Sequence, residues 1–182
     1  MEQHITPKLM VISDIHGSNS AFTAAMRRYK REKATGMLIA GDITARFSNS
    51  LALALNEFKS HITAVQGNCD THWDQDILQF PIPVFRKIPF EGHTIFLTHG
   101  YHITPYHPPL LSSGDLFVSG HTHRPHLYLH EELNIFMLNP GSITTPRRGT
   151  PPSYGIITPQ ILEIRDLYQA KLISSLQYQN FS

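Results

Sequence analysis

A carboxylate and an imidazole stand two positions apart in the segment Ser13-Asp14-Ile15-His16-Gly17. The apolar run from Leu9 to Ile12 precedes this segment, which predicts a buried strand that delivers both side chains to its C-terminal end. In extended chain, Asp14 and His16 would point to the same side. An oxygen and a nitrogen ligand on one face suit a borderline divalent metal such as manganese, iron or zinc. The ordinary alternative, for a single Asp-x-His, is a polar turn after a strand.

Four more strand ends carry side chains able to bind metal, and this recurrence favours a metal site over the polar turn. Three of them share an apolar run, a glycine and then a ligand, in Gly41-Asp42, Gly67-Asn68 and Gly120-His121. Glycine permits close backbone approach where a chain turns into a site. In open α/β sheets, sites form beyond the carboxyl ends of the strands. The candidate ligands are Asp14, His16, Asp42, Asn68, His99, His121 and His123.

The number of candidate ligands indicates two ions. One metal takes roughly three to six ligands including water, so this many protein ligands predict a pair bridged by Asp42 or Asp14. Two ions about 3.5–4 Å apart form a clamp for in-line displacement at phosphorus. They lower the pKa of a shared water and neutralise phosphate oxygens. Cys69 is the chain's single cysteine, which excludes a structural zinc site built from thiolates.

Strands and helices that would position these residues alternate along the first part of the chain. Strands are predicted at 8–13, 37–40 and 62–65, and helices from Ser18 or Ser20 to about Lys33 and over 50–59. This order predicts a parallel sheet with right-handed crossovers. Residues 73–83 are predicted to be irregular because Pro81 and Pro83 oppose a helix. Further strands are predicted at 84–88, 94–98, 116–119, 127–129, 135–138, 154–157 and 161–165, the last four of them antiparallel.

Composition limits the class of protein. The 182 residues suit a single domain spanning 1–182, and 41% hydrophobic with 16% charged residues is ordinary for a globular protein. A formal net charge of +1 argues against a nucleic-acid partner and against a membrane surface. One cysteine fits a reducing compartment, and no apolar leader or spanning segment is visible, so we expect a cytoplasmic protein. Homo-oligomerisation stays open.

The ordered motifs Asp-x-His-Gly, Gly-Asp, Gly-Asn-x-Asp, His-Gly and Gly-His-x-His resemble the calcineurin-like metallophosphoesterase family. The small single-domain phosphodiesterase branch is the most similar, because it shares the short Gly-Asn-Cys-Asp form and a Leu-Asn-Pro-Gly-Ser stretch, here Leu138 to Ser142. The resemblance implies an α/β fold of two packed β-sheets flanked by helices. It also implies a phosphodiesterase or phosphatase that hydrolyses small phosphate esters by in-line attack of a hydroxide bridging two ions.

The same resemblance assigns ligands and catalytic residues. It implies that one ion is held by Asp14, His16, Asp42 and His123, and the other by Asp42, Asn68, His99 and His121. Asp42 is then the bridge. Manganese is the expected ion, with iron, zinc and nickel as alternatives. The implied catalytic residues are Asp14, Asp42, Asn68, Cys69 and His99.

Cys69 departs from the broad family pattern, in which a histidine often follows the motif asparagine and assists the leaving group. A thiol is a poorer proton donor to an alkoxide and carries no positive charge at neutral pH. Phosphate esters with good leaving groups should suffer least from this exchange. The alternative is that Cys69 is a small buried packing residue.

Several nearby residues keep two interpretations. Asp70 is expected to orient a neighbouring ligand or to cap the following turn. Arg147 and Arg148 either contact a phosphate or are solvated, and His102 either reaches the substrate or is solvated. The competing functions are a protein-binding scaffold, like the retromer subunit that resembles this family, and a nuclease. Degraded scaffolds tend to lose ligands, whereas every ligand position here holds a competent residue.

Overall fold

The computed structural model describes residues 6–178, in which two mixed β-sheets are flanked by a few helices. The expected fold class is therefore confirmed. The helices are α1 (Asn19–Glu32), α2 (Asn49–Glu57) and α3 (His72–Ile77), with short 3₁₀ helices at Ala45–Phe47 and Lys59–His61. The strands are β1 (Leu9–Ile12), β2 (Gly36–Ile39), β3 (Ile62–Ala64), β4 (Phe85–Phe90), β5 (His93–Thr98), β6 (Leu116–Val118), β7 (His126–His130), β8 (Ile135–Asn139), β9 (Ser153–Ile157), β10 (Ile161–Asp166) and β11 (Leu172–Gln177).

The first sheet has the order β11-β10-β9-β1-β2-β3, and the second has the order β4-β5-β6-β8-β7. The pairs β1–β2 and β2–β3 are parallel, as the alternation of strands and helices predicts. The strands predicted at 154–157 and 161–165 are antiparallel as expected, and with β11 they continue this same sheet beyond β1. In the second sheet, β8 pairs antiparallel with β7 but parallel with β6, so only part of its predicted pairing is correct.

Apolar side chains pack on both faces of the first sheet. Between the sheets, residues of β1 and β2 such as Val11 and Leu38 pack against Leu97 and Val118 of the second sheet. On the other face of the first sheet, α1 and α2 cover the side chains of β1 and β2 that point away from the second sheet. Their buried residues include Phe22, Ala25, Leu51 and Leu55, which pack on Met10, Ile12, Met37 and Ile39. Strands buried on both faces read as continuous apolar runs, which is why the sequence located β1 and β2 so closely.

Local hydrogen bonds explain where the helices begin. The Ser18 hydroxyl accepts a hydrogen bond from the Ala21 backbone N–H at 3.2 Å, which confirms Ser18 as a cap of α1. The prediction of an irregular segment over 73–83 is wrong at its start. Thr71 and Asp74 form a capping box that begins α3, and the helix ends before Pro81 and Pro83 can oppose it.

The β4–β5 connection is tighter than the sequence predicts. Pro89 and Phe90 belong to β4, and only Glu91 and Gly92 form the turn, with φ of 48° and 84°. Two positive φ values in succession are typical of the type I′ hairpin turn. Pro89 is tolerated because β4 is an edge strand of its sheet. Strand β11 lies in the segment 170–182, for which the sequence predicts no element, and residues 179–182 are outside the described part of the chain.

Candidate metal centre

The loops that follow β1 and β2 run side by side through backbone hydrogen bonds. The Asp14 N–H donates to the Gly41 carbonyl at 3.1 Å, and the His16 N–H donates to the Asp42 carbonyl at 2.9 Å. The next bond joins the Gly17 N–H to the Ile43 carbonyl at 3.0 Å. The ladder therefore continues beyond the strands and fixes two loops that carry three of the predicted ligands.

Several of the predicted ligands have left-handed backbone conformations. The φ angles are 56° at Asp14, 46° at His16, 53° at Asp42, 66° at His121 and 58° at His123. The expectation that Asp14 and His16 converge because they lie in extended chain is therefore wrong, although the two side chains do converge. Non-glycine residues with positive φ are uncommon, although aspartate and histidine adopt it more readily than most. Such conformations cluster at functional sites where the surrounding structure imposes them.

One group of four side chains meets the requirements of a metal site. Each of Asp14, His16, Asp42 and His123 offers one ligand atom, and these atoms lie within 4.8 Å of one another. His123 Nε2 is 3.2 Å from Asp14 Oδ1 and 3.3 Å from His16 Nε2, and Asp42 Oδ2 is 3.8 Å from His16 Nε2. Asp14, Asp42 and His123 are buried, and His16 is half-buried.

The hydrogen bonds of this group leave two acceptors facing each other, the Nε2 lone pair of His123 and the carboxylate of Asp14. His123 Nδ1 lies 2.7 Å from the Thr145 carbonyl, which can only accept, so the proton of the neutral ring is on Nδ1. The Nε2 lone pair then faces the Asp14 carboxylate. Both oxygens of Asp14 are buried and receive no hydrogen bond from the described residues. A buried carboxylate without a donor calls for a cation, so the residues present fit a divalent metal.

A second group is organised in the same way around His99. Its Nδ1 donates to the Ala40 carbonyl at 2.7 Å, which leaves the Nε2 lone pair 3.0 Å from Asn68 Oδ1 and 3.4 Å from Asp42 Oδ2. Ligand histidines are commonly held by such a bond from the other ring nitrogen. His121 lies beside this group, with its ring edge-on to His99 at a centroid distance of 5.1 Å. Asp42 belongs to both groups.

The titration behaviour of these groups shows how strongly they attract positive charge. Burial opposes ionisation of Asp42, yet the hydrogen bond and charge that a protonated His99 would supply outweigh it and lower the pKa of Asp42 to about 2. The hydrogen bond that a protonated His123 would make to Asp14 raises the pKa of His123. Burial lowers the pKa of His99, but its bond to Asp42 more than compensates and the pKa is raised. Protons are thus drawn to the positions that a cation would take.

Two glycines permit this crowding. A Cβ built on Gly67 would overlap Oδ1 and the backbone nitrogen of Asp42. A Cβ on Gly41, where φ is 87°, would lie 2.6 Å from His99 Nδ1 and 2.9 Å from the Gly67 Cα. The predicted reason for the glycine before each ligand, close backbone approach, therefore holds at both positions.

Asp70 holds the loop that carries Asn68. Its Oδ1 accepts from the Thr44 N–H at 2.7 Å and its Oδ2 from the Gly67 N–H at 2.8 Å. Burial raises the pKa of Asp70 to about 6, although these backbone bonds oppose the rise. Asp70 therefore ties the loop after β3 to the loop after β2, and it acts on the ligands through their backbone.

The sequence did not reveal the role of the segment after β8. Asn139 is fully buried; it donates to the Gly120 carbonyl at 2.6 Å and to the Thr122 hydroxyl at 3.1 Å, which fixes the loop of His121 and His123. The Ser142 hydroxyl donates to the Asp14 carbonyl at 3.0 Å and accepts from the Thr145 N–H at 2.9 Å. A buried Asn-Pro-Gly-Ser turn directly after an apolar strand is the signal that could have indicated this support.

Cys69 is half-buried beside the second group, so the interpretation as a buried packing residue is not favoured. Its N–H donates to Asp42 Oδ1 at 2.8 Å, and its sulfur lies 3.4 Å from Asn68 Nδ2. Burial, together with the charges of Asp42, Asp70 and Asp14, raises the pKa of the Cys69 thiol to about 11. The thiol is therefore neutral at physiological pH.

Residues 8–160 match the family described as the calcineurin-like phosphoesterase superfamily domain. The chain belongs to this family. It is 34% identical over 180 residues to phosphodiesterase YfcE of Escherichia coli strain K12, covering 93% of this chain and 97% of the relative. A probable metallophosphoesterase of Methanothermobacter thermautotrophicus is 30% identical over 149 residues, covering 78% of this chain and 80% of the relative.

Comparison with solved structures agrees with this family assignment. The structure of YfcE, a phosphoesterase from E. coli, superposes with a TM-score of 0.88 at 33% identity, covering 94% of this chain and all of that one. Vacuolar protein sorting 29 of Cryptosporidium parvum has a TM-score of 0.70 at 19% identity, covering 96% of this chain and 99% of that one; this similarity shows the fold alone. Among the described residues, each helix is too short or too polar to cross a bilayer.

Proposed function

We propose that this protein is a phosphodiesterase that hydrolyses small phosphate esters with two divalent metal ions. The observation that carries the proposal is that the Nε2 lone pairs of His123 and His99 face carboxylate and amide oxygens, with no proton donor among the described residues between them. The two groups share Asp42. Family membership and the similarity to YfcE support a hydrolase acting on phosphate esters. The near-neutral net charge of +1 favours a small ester over nucleic acid.

The ligand assignment follows the two groups. Asp14, His16, Asp42 and His123 would hold one ion, and Asp42, Asn68, His99 and His121 the other. Imidazole and carboxylate ligands without thiolate suit manganese, our proposed ion, and also iron, zinc or nickel. The single cysteine fits a reducing compartment, so we place the protein in the cytoplasm.

The chain contributes chiefly by holding its ligands in place before substrate arrives. The carbonyls of Ala40 and Thr145 fix the tautomers of His99 and His123, so each ring presents Nε2. The Cys69 N–H and the neighbouring His99 keep Asp42 ionised at neutral pH against the effect of burial. When bound, two such ions supply charge for the phosphate oxygens and a water of lowered pKa.

Hydrolysis breaks one ester P–O bond, forms a P–O bond to the water oxygen, and leaves the departing oxygen in need of a proton. By the family resemblance, the neutral Cys69 thiol beside Asn68 would be the protein group that faces this oxygen. Because its pKa is raised to about 11, it is a weak donor. We therefore expect the best turnover with esters whose leaving oxygen needs little protonation.

The proposal is tested with purified protein and bis(p-nitrophenyl) phosphate. Chelation and dialysis should abolish turnover, and added manganese should restore it, with two equivalents of metal found by elemental analysis. Magnesium, zinc, nickel and iron are compared in parallel. Full activity in protein shown to be free of metal would overturn the metal requirement, and absence of phosphodiester hydrolysis with every ion would overturn the proposed function.

A further inference from the structure

A cleft lined by aromatic side chains opens next to His121. Its volume is about 500 Å³, within the range of small-molecule sites, and its walls include Tyr101, Tyr106, His126 and Tyr128. The Tyr101 ring stands edge-on to the His121 ring at a centroid distance of 5.4 Å, so the cleft reaches a proposed metal ligand. Tyr106 is 87% exposed and Tyr128 is 42% exposed, which leaves ring faces open to a ligand.

A second cleft, of about 340 Å³, is lined by three arginines together with His121 and Thr122. The arginines are Arg124, Arg147 and Arg148, and all three are exposed. Within residues 6–178, none of their side chains makes an ion pair or a hydrogen bond, whereas Arg46 pairs with Asp74 and Arg165 with Glu163. The acidic residues of the candidate centre do not neutralise these charges.

The two clefts share a wall. His121, Thr122 and Arg124 line both, and from this wall one cleft leads to the tyrosines and the other to Arg147 and Arg148. Arg147 is tied to the centre itself, because its N–H donates to the His123 carbonyl at 3.1 Å. A phosphate at the candidate metal centre would thus have an aromatic cleft and a basic cleft within reach of its two ester arms.

We infer that the substrate is a phosphodiester with a planar aromatic group on one arm and a second phosphate on the other. This inference rests on the proposed function and deepens it. The aromatic arm enters the cleft of Tyr101, Tyr106 and Tyr128, and the second phosphate is bound by Arg147 and Arg148. A phosphate monoester, which carries only one of these two arms, would fill only one cleft.

The chemistry of each cleft supports its occupant. Planar aromatic groups stack on tyrosine faces, and the loss of one such contact is expected to cost about tenfold in affinity. Arginine presents a rigid fork of N–H donors that matches phosphate, and a charge-assisted pair of this kind is also expected to contribute about tenfold. Because the unpaired arginines lie in their own cleft, the second phosphate need not compete for the metal ligands.

Two chromogenic diesters separate these contributions. One is thymidine 5′-(p-nitrophenyl phosphate), and the other is the same compound carrying a phosphate on the 3′ hydroxyl. Both release p-nitrophenol, so only the second phosphate differs. With manganese-loaded protein, we expect kcat/KM to be about tenfold higher for the phosphorylated compound. Binding of thymidine bisphosphate and of the 5′-monophosphate, measured by isothermal titration calorimetry, gives a readout that does not depend on turnover.

Matched variants assign the two arms. Arg147→Gln with Arg148→Gln should bring the preference for the second phosphate down to about one, in both kcat/KM and affinity. Arg27→Gln with Arg31→Gln removes two exposed arginines from α1 and should leave the preference in place. Tyr106→Ala and Tyr128→Ala should lower kcat/KM for both diesters, whereas Tyr168→Ala, at an exposed tyrosine that lines neither cleft, should not.

The outcomes distinguish the inference from the proposed function. Equal kcat/KM and equal affinity with and without the second phosphate would overturn the inference while the phosphodiesterase activity stands. A preference that survives in the Arg147 and Arg148 variant, or tyrosine variants that hydrolyse both diesters normally, would also overturn it. If the wild-type protein cleaves neither these two diesters nor bis(p-nitrophenyl) phosphate, the proposed function fails, and the calorimetric preference and its loss in the variants still decide the inference.

Discussion

Asp42 lies between the two acceptor groups at the end of β2. Its Oδ2 is 3.8 Å from His16 Nε2 and 3.4 Å from His99 Nε2, while Oδ1 accepts the Cys69 N–H at 2.8 Å. One carboxylate therefore faces histidines that come from different sheets. If both groups hold metal, Asp42 contributes negative charge to each ion.

We predict that Asp42→Asn is more damaging than a change to a ligand of one ion only. An amide has nearly the shape of the carboxylate but lacks its charge, so affinity for both ions should fall. Changes to outer partners of metal ligands typically cost ~10–100-fold, and loss of the bridge should exceed that range in kcat/KM. His16→Asn is the matched comparison, because His16 belongs to the first group alone. Two bound metals and near-normal turnover in Asp42→Asn would contradict the bridge.

Cys69 offers a second test at the level of one residue. Cys69→His should improve turnover of diesters with poor leaving groups more than turnover of nitrophenyl esters, because a partly protonated imidazole can donate to the leaving oxygen. General acid catalysis contributes ~10²–10⁴-fold at most, so a gain of about tenfold for an alkyl diester is expected.

The control for this exchange is Cys69→Ser, which keeps a small neutral side chain. Kinetics on an alkyl and a nitrophenyl diester are measured beside a thermal melt and the metal content. A uniform loss on both substrates, with a lower melting temperature, would mean that the larger ring does not fit and that Cys69 has no role at the leaving group.

At the level of elements, the site depends on how closely the loops after β2 and β3 approach. Gly67 lies against Asp42, and Asp70 accepts from the N–H groups of Gly67 and Thr44. A side chain at position 67 would have to displace the Asp42 carboxylate or the loop itself. The glycine therefore acts on metal binding without being a ligand.

We predict that Gly67→Ala loses metal affinity and activity, since its Cβ would overlap Asp42. Gly92→Ala is the control, because it is the same exchange at a position where the added Cβ meets nothing within 4 Å. The control still pays for its positive φ, at about 1 kcal/mol of unfolding free energy, and should keep its metals. Normal metal content in Gly67→Ala would contradict the tight packing of the two loops.

The elements that the sequence predicted correctly are those marked by short, local sequence patterns. The continuous apolar runs of β1 and β2, and the glycines before Asp42, Asn68 and His121, are local patterns, and they indicated the strands and these candidate ligands. The left-handed turns at Asp14 and His16, by contrast, are imposed by the surrounding structure. The hydrogen bonds from Asn139 and Ser142 connect segments that are distant in the sequence. Ser142 reaches the Asp14 carbonyl across 128 positions, and no periodicity encodes such a contact. The pairing of β9 with β1, which joins the antiparallel strands β9 to β11 to the first sheet, depends in the same way on a long-range contact.

At the level of the whole molecule, the candidate ligands come from both sheets. Asp14, His16, Asp42 and Asn68 follow strands of the first sheet, whereas His99, His121 and His123 follow strands of the second. Each proposed ion would therefore join the two sheets at one end of the apolar layer between them. Without a cation, the buried Asp14 carboxylate has no donor among the described residues, which opposes the same packing.

We therefore predict that metal stabilises the fold as a whole. A ligand that binds only the folded state adds about 2.7 kcal/mol at 100 times its Kd. For a domain of this size each kcal/mol shifts Tm by about 2–4 °C, so saturating manganese should raise Tm by roughly 5–11 °C over the chelated protein. The Asp42→Ala variant should lose most of this shift, whatever its own Tm. The measurement is calorimetry or circular dichroism across a manganese titration, with calcium as a hard-ion control. An equal rise in wild type and Asp42→Ala would mean that the ions bind elsewhere, and that the two sheets are not joined through this centre.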